Sequence, residues 1–230
     1  MGIPESLRNA LKPVTVIVGH YGAGKTNFTV NLALDLSEEG REVTVVDLDV
    51  VNPYFRATEQ RALLEEHGVR LVAPVFAEAG TSLDVPSLTG GIVPAIQAAD
   101  DMHIVIIDAG GDDVGATALG RFALPIVQRD YAMLYVANRF RNLVSDPVDA
   151  LENLREIEAA SHLHVTALAN NTHLKGETTG ETIRLGVDYA TEVSKIADLR
   201  VVCTTVPFEN PTAGIKDAYR VFAYVKNPWE

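Results

Sequence analysis

The sequence predicts a three-layer α/β fold: a mostly parallel, twisted sheet of about seven strands with helices on both faces, in a single domain over residues 1–230. Three observations predict it. Runs rich in β-branched residues alternate with helical stretches almost from end to end, as repeated strand–helix–strand units require. The strand runs are apolar throughout rather than alternating, which burial on both faces demands. The chain has 230 residues, 47% hydrophobic and 22% charged. That is enough for one sizeable core and ordinary for a globular domain.

The elements follow in order. Val14 to Val18 reads as a buried strand, and Lys25 to Glu39 as a helix with Phe28, Leu32 and Leu36 on its core face, stopped by Gly40. Val43 to Asp49 is the second strand, Tyr54 to His67 a helix ended by Gly68, and Val69 to Ala73 a short strand. Pro74 to Gly91 is irregular, with three glycines and two prolines, and is the expected site-forming insertion. A helix near Ile92 to Ala99, a strand from His103 to Asp108, a helix around Ala116 to Gln128 and the strand Tyr131 to Ala137 come next. Asp146 to Ala160 is helical, with Ser145 or Asp146 as cap and Pro147 in the first turn. Strand Val165 to Ala169, helix Thr179 to Ala197, strand Arg200 to Val206 and a final helix from Pro211 complete the prediction.

Charge and cysteine usage exclude several functions. With 19 Lys and Arg against 31 Asp and Glu, the net charge is −12, which argues against non-specific binding to nucleic acid or an anionic membrane. No apolar run approaches the ~20 residues of a membrane span. The one cysteine, Cys203, can form neither an internal disulfide nor a Cys-x-x-Cys metal site. A reducing, cytoplasmic setting is the expectation.

Gly19-His20-Tyr21-Gly22-Ala23-Gly24-Lys25-Thr26 satisfies G-x-x-x-x-G-K-[ST] between a predicted strand and a predicted helix. Glycines let main-chain N–H groups converge on phosphate oxygens, and the helix start adds a favourable dipole. Lys25, read as a surface loop residue, supplies a point charge to the β- and γ-phosphates, and Thr26 a hydroxyl to Mg²⁺, with Asn27 beside them as a further nucleotide-binding position.

Two strands end in carboxylates: Asp47-Leu48-Asp49 and Asp108-Ala109-Gly110-Gly111. A carboxylate at the end of an apolar strand is costly unless a cation is near, and Mg²⁺ beside a triphosphate is such a cation. Asp108 is therefore the candidate metal ligand, and Gly111 the candidate N–H donor to a γ-phosphate. His162, His164 and His173 do not fit a metal-ligand spacing and read as surface or structural residues.

Taken together, these motifs resemble the ParA/MinD and CobQ/CobB group of P-loop ATPases, within the SIMIBI class. The resemblance rests on Gly22 to Thr26 followed by Asn31-Leu32-Ala33, on the D-x-D of Asp47-Leu48-Asp49, on Asp108 to Gly111, and on Asn170-Asn171. It implies the P-loop NTPase fold. It implies that Asp49 positions the attacking water near Mg²⁺ while Asp47 faces inward as support. It implies that Asn171, with Asn170 second, reads adenine, and that Pro207-Phe208-Glu209 closes over the base. Without an N-K-x-D guanine motif, ATP is favoured over GTP.

One position departs from the group. Its dimerising members carry a lysine directly after the first loop glycine, where this chain has His20. A histidine is shorter and mostly neutral at cellular pH, so weak or no ATP-driven dimerisation is expected. Arg56, Arg121, Arg139 or Arg141 would be alternative charge donors.

The expected function is that of a small accessory or regulatory ATPase whose nucleotide state switches a contact with a protein partner, with slow turnover and a homodimer among the implied assemblies. The alternatives are an ATP-dependent biosynthetic enzyme of the dethiobiotin-synthetase or cobyrinate-amidase type, acting on a small-molecule substrate, and a nucleotide-binding module with little turnover. The hydroxyl- and glycine-rich run from Thr81 to Gly91 favours the biosynthetic reading.

Overall fold

The computed structural model describes residues 2–49, 57–73, 90–111 and 113–225. Strands β1 (Val14–Val18), β2 (Glu42–Leu48), β3 (Arg70–Val72), β4 (His103–Ala109), β5 (Tyr131–Ala137), β6 (Ala167–Asn170), β7 (Val201–Pro207) and β8 (Ala218–Val221) form one eight-stranded sheet, ordered β3-β2-β4-β1-β5-β6-β7-β8. Every pairing in it is parallel. The helices are α1 (Glu5–Ala10), α2 (Lys25–Glu38), α3 (Arg61–Glu66), α4 (Ile92–Ala98), α5 (Asp113–Gly120), α6 (Ala123–Val127), α7 (Pro147–Ser161) and α8 (Gly180–Ala197).

Strand periodicity divides the core into two layers. Val14, Val16 and Val18 of β1 join Ile96, Leu119, Leu154 and Tyr189 from α4, α5, α7 and α8 on one face. Ile17 of the same strand joins Leu7, Phe28, Leu32 and Leu64 from α1, α2 and α3 on the other. Each of these side chains is worth about 1.5–3 kcal/mol relative to exposure. The helix starts follow the sequence. The Asp146 carboxylate accepts from the Val148 N–H at 2.8 Å with Pro147 in the first turn of α7, and Thr179 and Thr182 form a reciprocal cap on α8.

The strand order reverses beside β1, because β4 returns to the slot between β2 and β1 while β5 to β8 extend on the other side. At such a reversal a crevice opens beyond the carboxyl ends of the strands. The loop after β1 and the carboxylates at the ends of β2 and β4 are placed there.

The structure departs from the predicted elements in identifiable ways. The final helix expected from Pro211 is absent, and β8 makes an eighth strand. Positive φ at Gly214 (78°) and Asp217 (51°) breaks any helix, and Tyr219 and Val221 alternate inward on an edge strand. Tyr219 meets Phe28 edge-on at 5.9 Å and donates its hydroxyl to Asp35 at 2.7 Å. The single helix expected around residues 116–128 is split into α5 and α6. Pro125, within α6, has no N–H to offer the Arg121 carbonyl, so the helical ladder is interrupted after Gly120, where the backbone packs so closely on the Ala160 carbonyl that a Cβ would stand 2.8 Å from it. The first residues form α1, which the sequence reading lacks; Ile3, Leu7 and Ala10 bury one face and Ser6 donates to the Val202 carbonyl at 2.8 Å. The expected helix over 54–67 is a 3₁₀ turn at Ala57–Gln60 followed by α3. Residues 54–56, with the candidate Arg56, most of the 74–91 segment and residues 226–230 lie outside the described residues. Among the described residues, no helix is long and apolar enough to cross a membrane.

Candidate functional site

The loop between β1 and α2 is held at both ends by neighbouring strands. Gly19 has φ 140° and lies so close to the Val136 carbonyl of β5 that a Cβ would overlap it. Gly24 has φ 91°, and a Cβ there would strike the Asn171 amide nitrogen. Only glycine takes these backbone angles and these contacts at low cost. Lys25, which the sequence predicts as a surface loop residue, is buried. It is the first residue of α2, only 6% exposed, and its ammonium donates to the His20 carbonyl at 3.3 Å. A side chain reaching back over its own loop is buried by that loop. Thr26 follows and is also buried, as is Ala23. Tyr21 is 55% exposed, and the His20 ring turns back onto its own loop, with Nδ1 2.9 Å from the Tyr21 carbonyl oxygen.

The carboxylates converge beneath this loop. Asp47 of β2 and Asp108 of β4 are register partners on adjacent strands, and both are fully buried. Asp47 accepts from the Asp49 N–H at 3.1 Å, and Asp49 is buried at the strand end. Among the described residues, neither oxygen of the Asp108 carboxyl has a donor in full hydrogen-bonding geometry, the Thr26 hydroxyl being the nearest group of that kind. Burial, and then the charge of Asp47, push its pKa up to about 8, against the opposing effects of the Lys25 ammonium and the Thr26 hydroxyl. Two such oxygens on a fully buried acid suit a hard divalent cation, which takes oxygen ligands. The donor set of Thr26, Asp108 and Asp49 therefore fits Mg²⁺. Gly111 presses on the loop itself: a Cβ there would stand 2.6 Å from the Lys25 ammonium, 2.6 Å from the Tyr21 nitrogen and 2.7 Å from the Gly19 carbonyl oxygen.

Asn170 ends β6 and Asn171 follows it, and both side chains are turned into the fold. Asn170 is fully buried, donates to Thr204 at 3.3 Å and accepts from the Thr172 N–H at 3.2 Å, so from this position it supports the turn rather than facing a ligand. Asn171 donates to the Ala23 carbonyl at 2.7 Å and accepts from the Thr205 hydroxyl at 2.6 Å. It thereby links the phosphate loop to β6 and β7. Its Oδ1 also receives the His173 Nε2 at 3.2 Å, while the Lys175 N–H donates to His173 Nδ1 at 3.3 Å. These partners select the tautomer with hydrogen on Nε2. Burial, then the charges of Lys175 and Arg141, lower the His173 pKa to about 4, so the ring is neutral. His162 and His164 lie at the opposite end of β6, and among the described residues no group of His, Cys, Asp and Glu could hold a metal by itself.

The C-terminal segment closes the flank of α2. Asn27 accepts from the Tyr224 and Val225 N–H groups at 2.9 and 3.2 Å and donates to the Phe222 carbonyl at 2.9 Å. Asn31 donates to the same carbonyl at 2.9 Å and accepts from the Phe222 N–H at 2.8 Å. The side chain of Asn27, predicted to serve the nucleotide, is thus engaged by residues 222–225. Pro207 ends β7, and Phe208 stacks on Phe222 with centroids 4.3 Å apart. Between these parts lies a cavity of about 50 Å³ bordered by Asn27, His173, Lys175, Pro207 and Phe222. A larger groove of about 820 Å³ runs between α8 and residues 211–217, at the amino-terminal end of β7 and away from the phosphate loop.

Of the candidate arginines Arg121, Arg139 and Arg141, the last stands against the phosphate loop, beside Gly22. Arg121 sits exposed between α5 and α6. Arg139 is held in the turn after β5, its N–H donating to Thr172 at 3.1 Å.

Comparison with known proteins agrees with this geometry. Residues 14–165 match the family model described as the CobQ/CobB/MinD/ParA nucleotide binding domain. The chain is 32% identical over 108 residues to the signal recognition particle 54 kDa protein of Sulfolobus acidocaldarius, covering 47% of this chain and 23% of that protein. It is 37% identical over 107 residues to the signal recognition particle protein of Synechococcus elongatus, covering 46% and 21%. The matches thus span less than a quarter of these curated relatives. Among solved structures, FtsY of Mycoplasma mycoides superposes with a TM-score of 0.55 at 16% identity, over 84% of this chain and 59% of that one. The signal recognition particle 54 kDa protein of Aeropyrum pernix K1, in complex with GDP, gives 0.53 at 15% identity, over 83% and 40%. These structures share the fold.

Proposed function

Since the chain belongs to the CobQ/CobB/MinD/ParA nucleotide binding domain family, within the SIMIBI class of P-loop NTPases, we propose that it binds Mg-ATP at the β1–α2 loop and hydrolyses it slowly, as an accessory ATPase whose nucleotide state switches a contact with a protein partner. Asp108 carries the reading: its carboxyl is fully buried, its two oxygens find no well-placed donor among the described residues, and it feels the Lys25 charge and the Thr26 hydroxyl. Thr26 and Asp108, with Asp49, would hold Mg²⁺, which when bound neutralises phosphate charge. Lys25 and the loop N–H groups take the phosphates. Gly111 senses the terminal phosphate because it already touches the loop, and a contact made only with triphosphate gives a switch. Asp49 orients the attacking water. The base lies on the side of Asn171, Pro207 and Phe208. The buried, unpaired Cys203 supports a cytoplasmic setting.

Adenine is preferred over guanine because Asn170-Asn171 is followed by Thr172, His173 and Leu174, with no acid to pair with a guanine amino group. GTP is the second reading, favoured by the GDP in the Aeropyrum structure. Calorimetric titration with Mg-ATP and Mg-GTP tests both, with phosphate release as the measure of turnover. Mg-ATP is expected to bind more tightly, and Lys25→Ala to lose it. Tighter Mg-GTP binding overturns the adenine reading, and binding of neither overturns the function.

A further inference from the structure

The Arg141 guanidinium lies along the outer side of the phosphate loop. A Cβ on Gly22 would stand 3.3 Å from its central carbon, 3.3 Å from Nε and 3.5 Å from a terminal nitrogen. The turn that carries Arg141 is fixed. Asn138, 3% exposed, accepts from the Phe140 N–H at 3.0 Å, and its carbonyl accepts from the Arg141 N–H at 3.3 Å. The Arg141 carbonyl in turn accepts from the Val144 N–H at 3.0 Å.

This arginine has no counter-charge among the described residues. Among the described residues no carboxylate pairs with it, in a chain with 31 Asp and Glu against 19 Lys and Arg. The residue as a whole is exposed, yet the atoms around its guanidinium shield it enough to lower its pKa, opposed only by Tyr21. It stays charged at any physiological pH. His173, near enough to feel that charge, is neutral and adds no second cation. A guanidinium without an acid, fixed beside a loop of phosphate-binding geometry, is suited to an anion with paired oxygens.

We infer that Arg141 binds the phosphate chain of the nucleotide in cis, supplying beside Gly22 the cation that His20 does not. The inference rests on the phosphate-loop reading above. His20 cannot serve in this way, since its ring is turned back to the Tyr21 carbonyl.

The test compares wild type, Arg141→Ala, Arg141→Lys and Lys25→Ala by calorimetry with Mg-ATP, AMP and inorganic tripolyphosphate, with thermal unfolding as the fold control. Arg141→Ala is expected to weaken Mg-ATP and tripolyphosphate about tenfold or more, AMP less, with Arg141→Lys between. Should Arg141→Ala melt lower than wild type, Arg141→Gln keeps the bulk and carries the same comparison. If Lys25→Ala loses binding while Arg141→Ala binds both ligands as wild type does, the assignment to Arg141 is overturned and the phosphate loop stands. If Arg141→Ala loses Mg-ATP but keeps tripolyphosphate, the contact is with sugar or base, and the inference fails. If wild type binds neither ligand, both readings fall together.

Discussion

The amide of Asn171 donates to the main-chain carbonyl of Ala23 across 2.7 Å, from the end of β6 into the middle of the phosphate loop. Replacing it with aspartate keeps the size and removes the donor. Asn171→Asp is expected to cost about 1–3 kcal/mol of stability, because the buried Ala23 carbonyl loses its partner and a charge enters a buried position. Nucleotide affinity should fall as well. Chemical denaturation and calorimetry check both, and an Asn171→Asp variant as stable as wild type would show that the link is incidental.

Asp108 is held in the fold at an energetic cost, because its carboxyl is fully buried beside Asp47. Its carboxyl has a raised pKa, about 8, in the metal-free protein. The folded state therefore holds a proton that the unfolded chain releases near its ordinary value, about 4. Stability from this group is full below about pH 4 and is lost as pH rises toward about 8. Asp108→Asn should remove that slope, stabilise the metal-free protein by about 1–3 kcal/mol, and abolish Mg²⁺-dependent nucleotide binding. Melting curves across pH with and without Mg-ATP decide it, and a destabilised Asp108→Asn variant would count against the cation site.

The D-x-D pair should separate by role. Asp47 is fully buried and accepts the Asp49 N–H, so Asp47→Ala should chiefly lower stability. Asp49→Ala should keep ATP bound and stop phosphate release. A stable but inactive Asp47→Ala variant beside an active Asp49→Ala variant would show the roles reversed.

His20 predicts weak nucleotide-driven association. Light scattering with ATP, with ADP and with no nucleotide should give the same mass, and turnover should fall below the ~1–100 s⁻¹ of well-positioned phosphoryl transfer. His20→Lys should strengthen association with ATP. A wild-type monomer that dimerises only with ATP would require another cation across the interface.

The phosphate loop and strands β1 to β7 were legible because their signals are local: fixed residues at fixed spacing, and apolar runs bounded by glycines and acids. Asp47 and Asp108 could be named as strand ends, but not as register neighbours, since pairing between β2 and β4 depends on the order of the sheet. The burial of Lys25 was hidden for the same reason, because Gly111, 86 residues later by number, forms one wall of its setting. α1 did leave a trace, in the spacing of Ile3, Leu7 and Ala10. β8 was masked by an approach through Pro211 that reads as a helix start. Arg141 carries no motif, and only the turn at Asn138 brings it to Gly22.

The grip of Asn27 and Asn31 on residues 222–225 has a consequence for synthesis. These bonds join positions 191 to 198 apart in the chain. At about 5–20 residues per second, the phosphate helix emerges roughly 10–40 s before the segment that covers its flank. Until Val225 has left the ribosome, the polar groups of both asparagines remain open to water, and that side of α2 is uncovered. A nascent chain can therefore have strands β1 to β6 already made while the flank of α2 beside the β1–α2 loop is still uncovered.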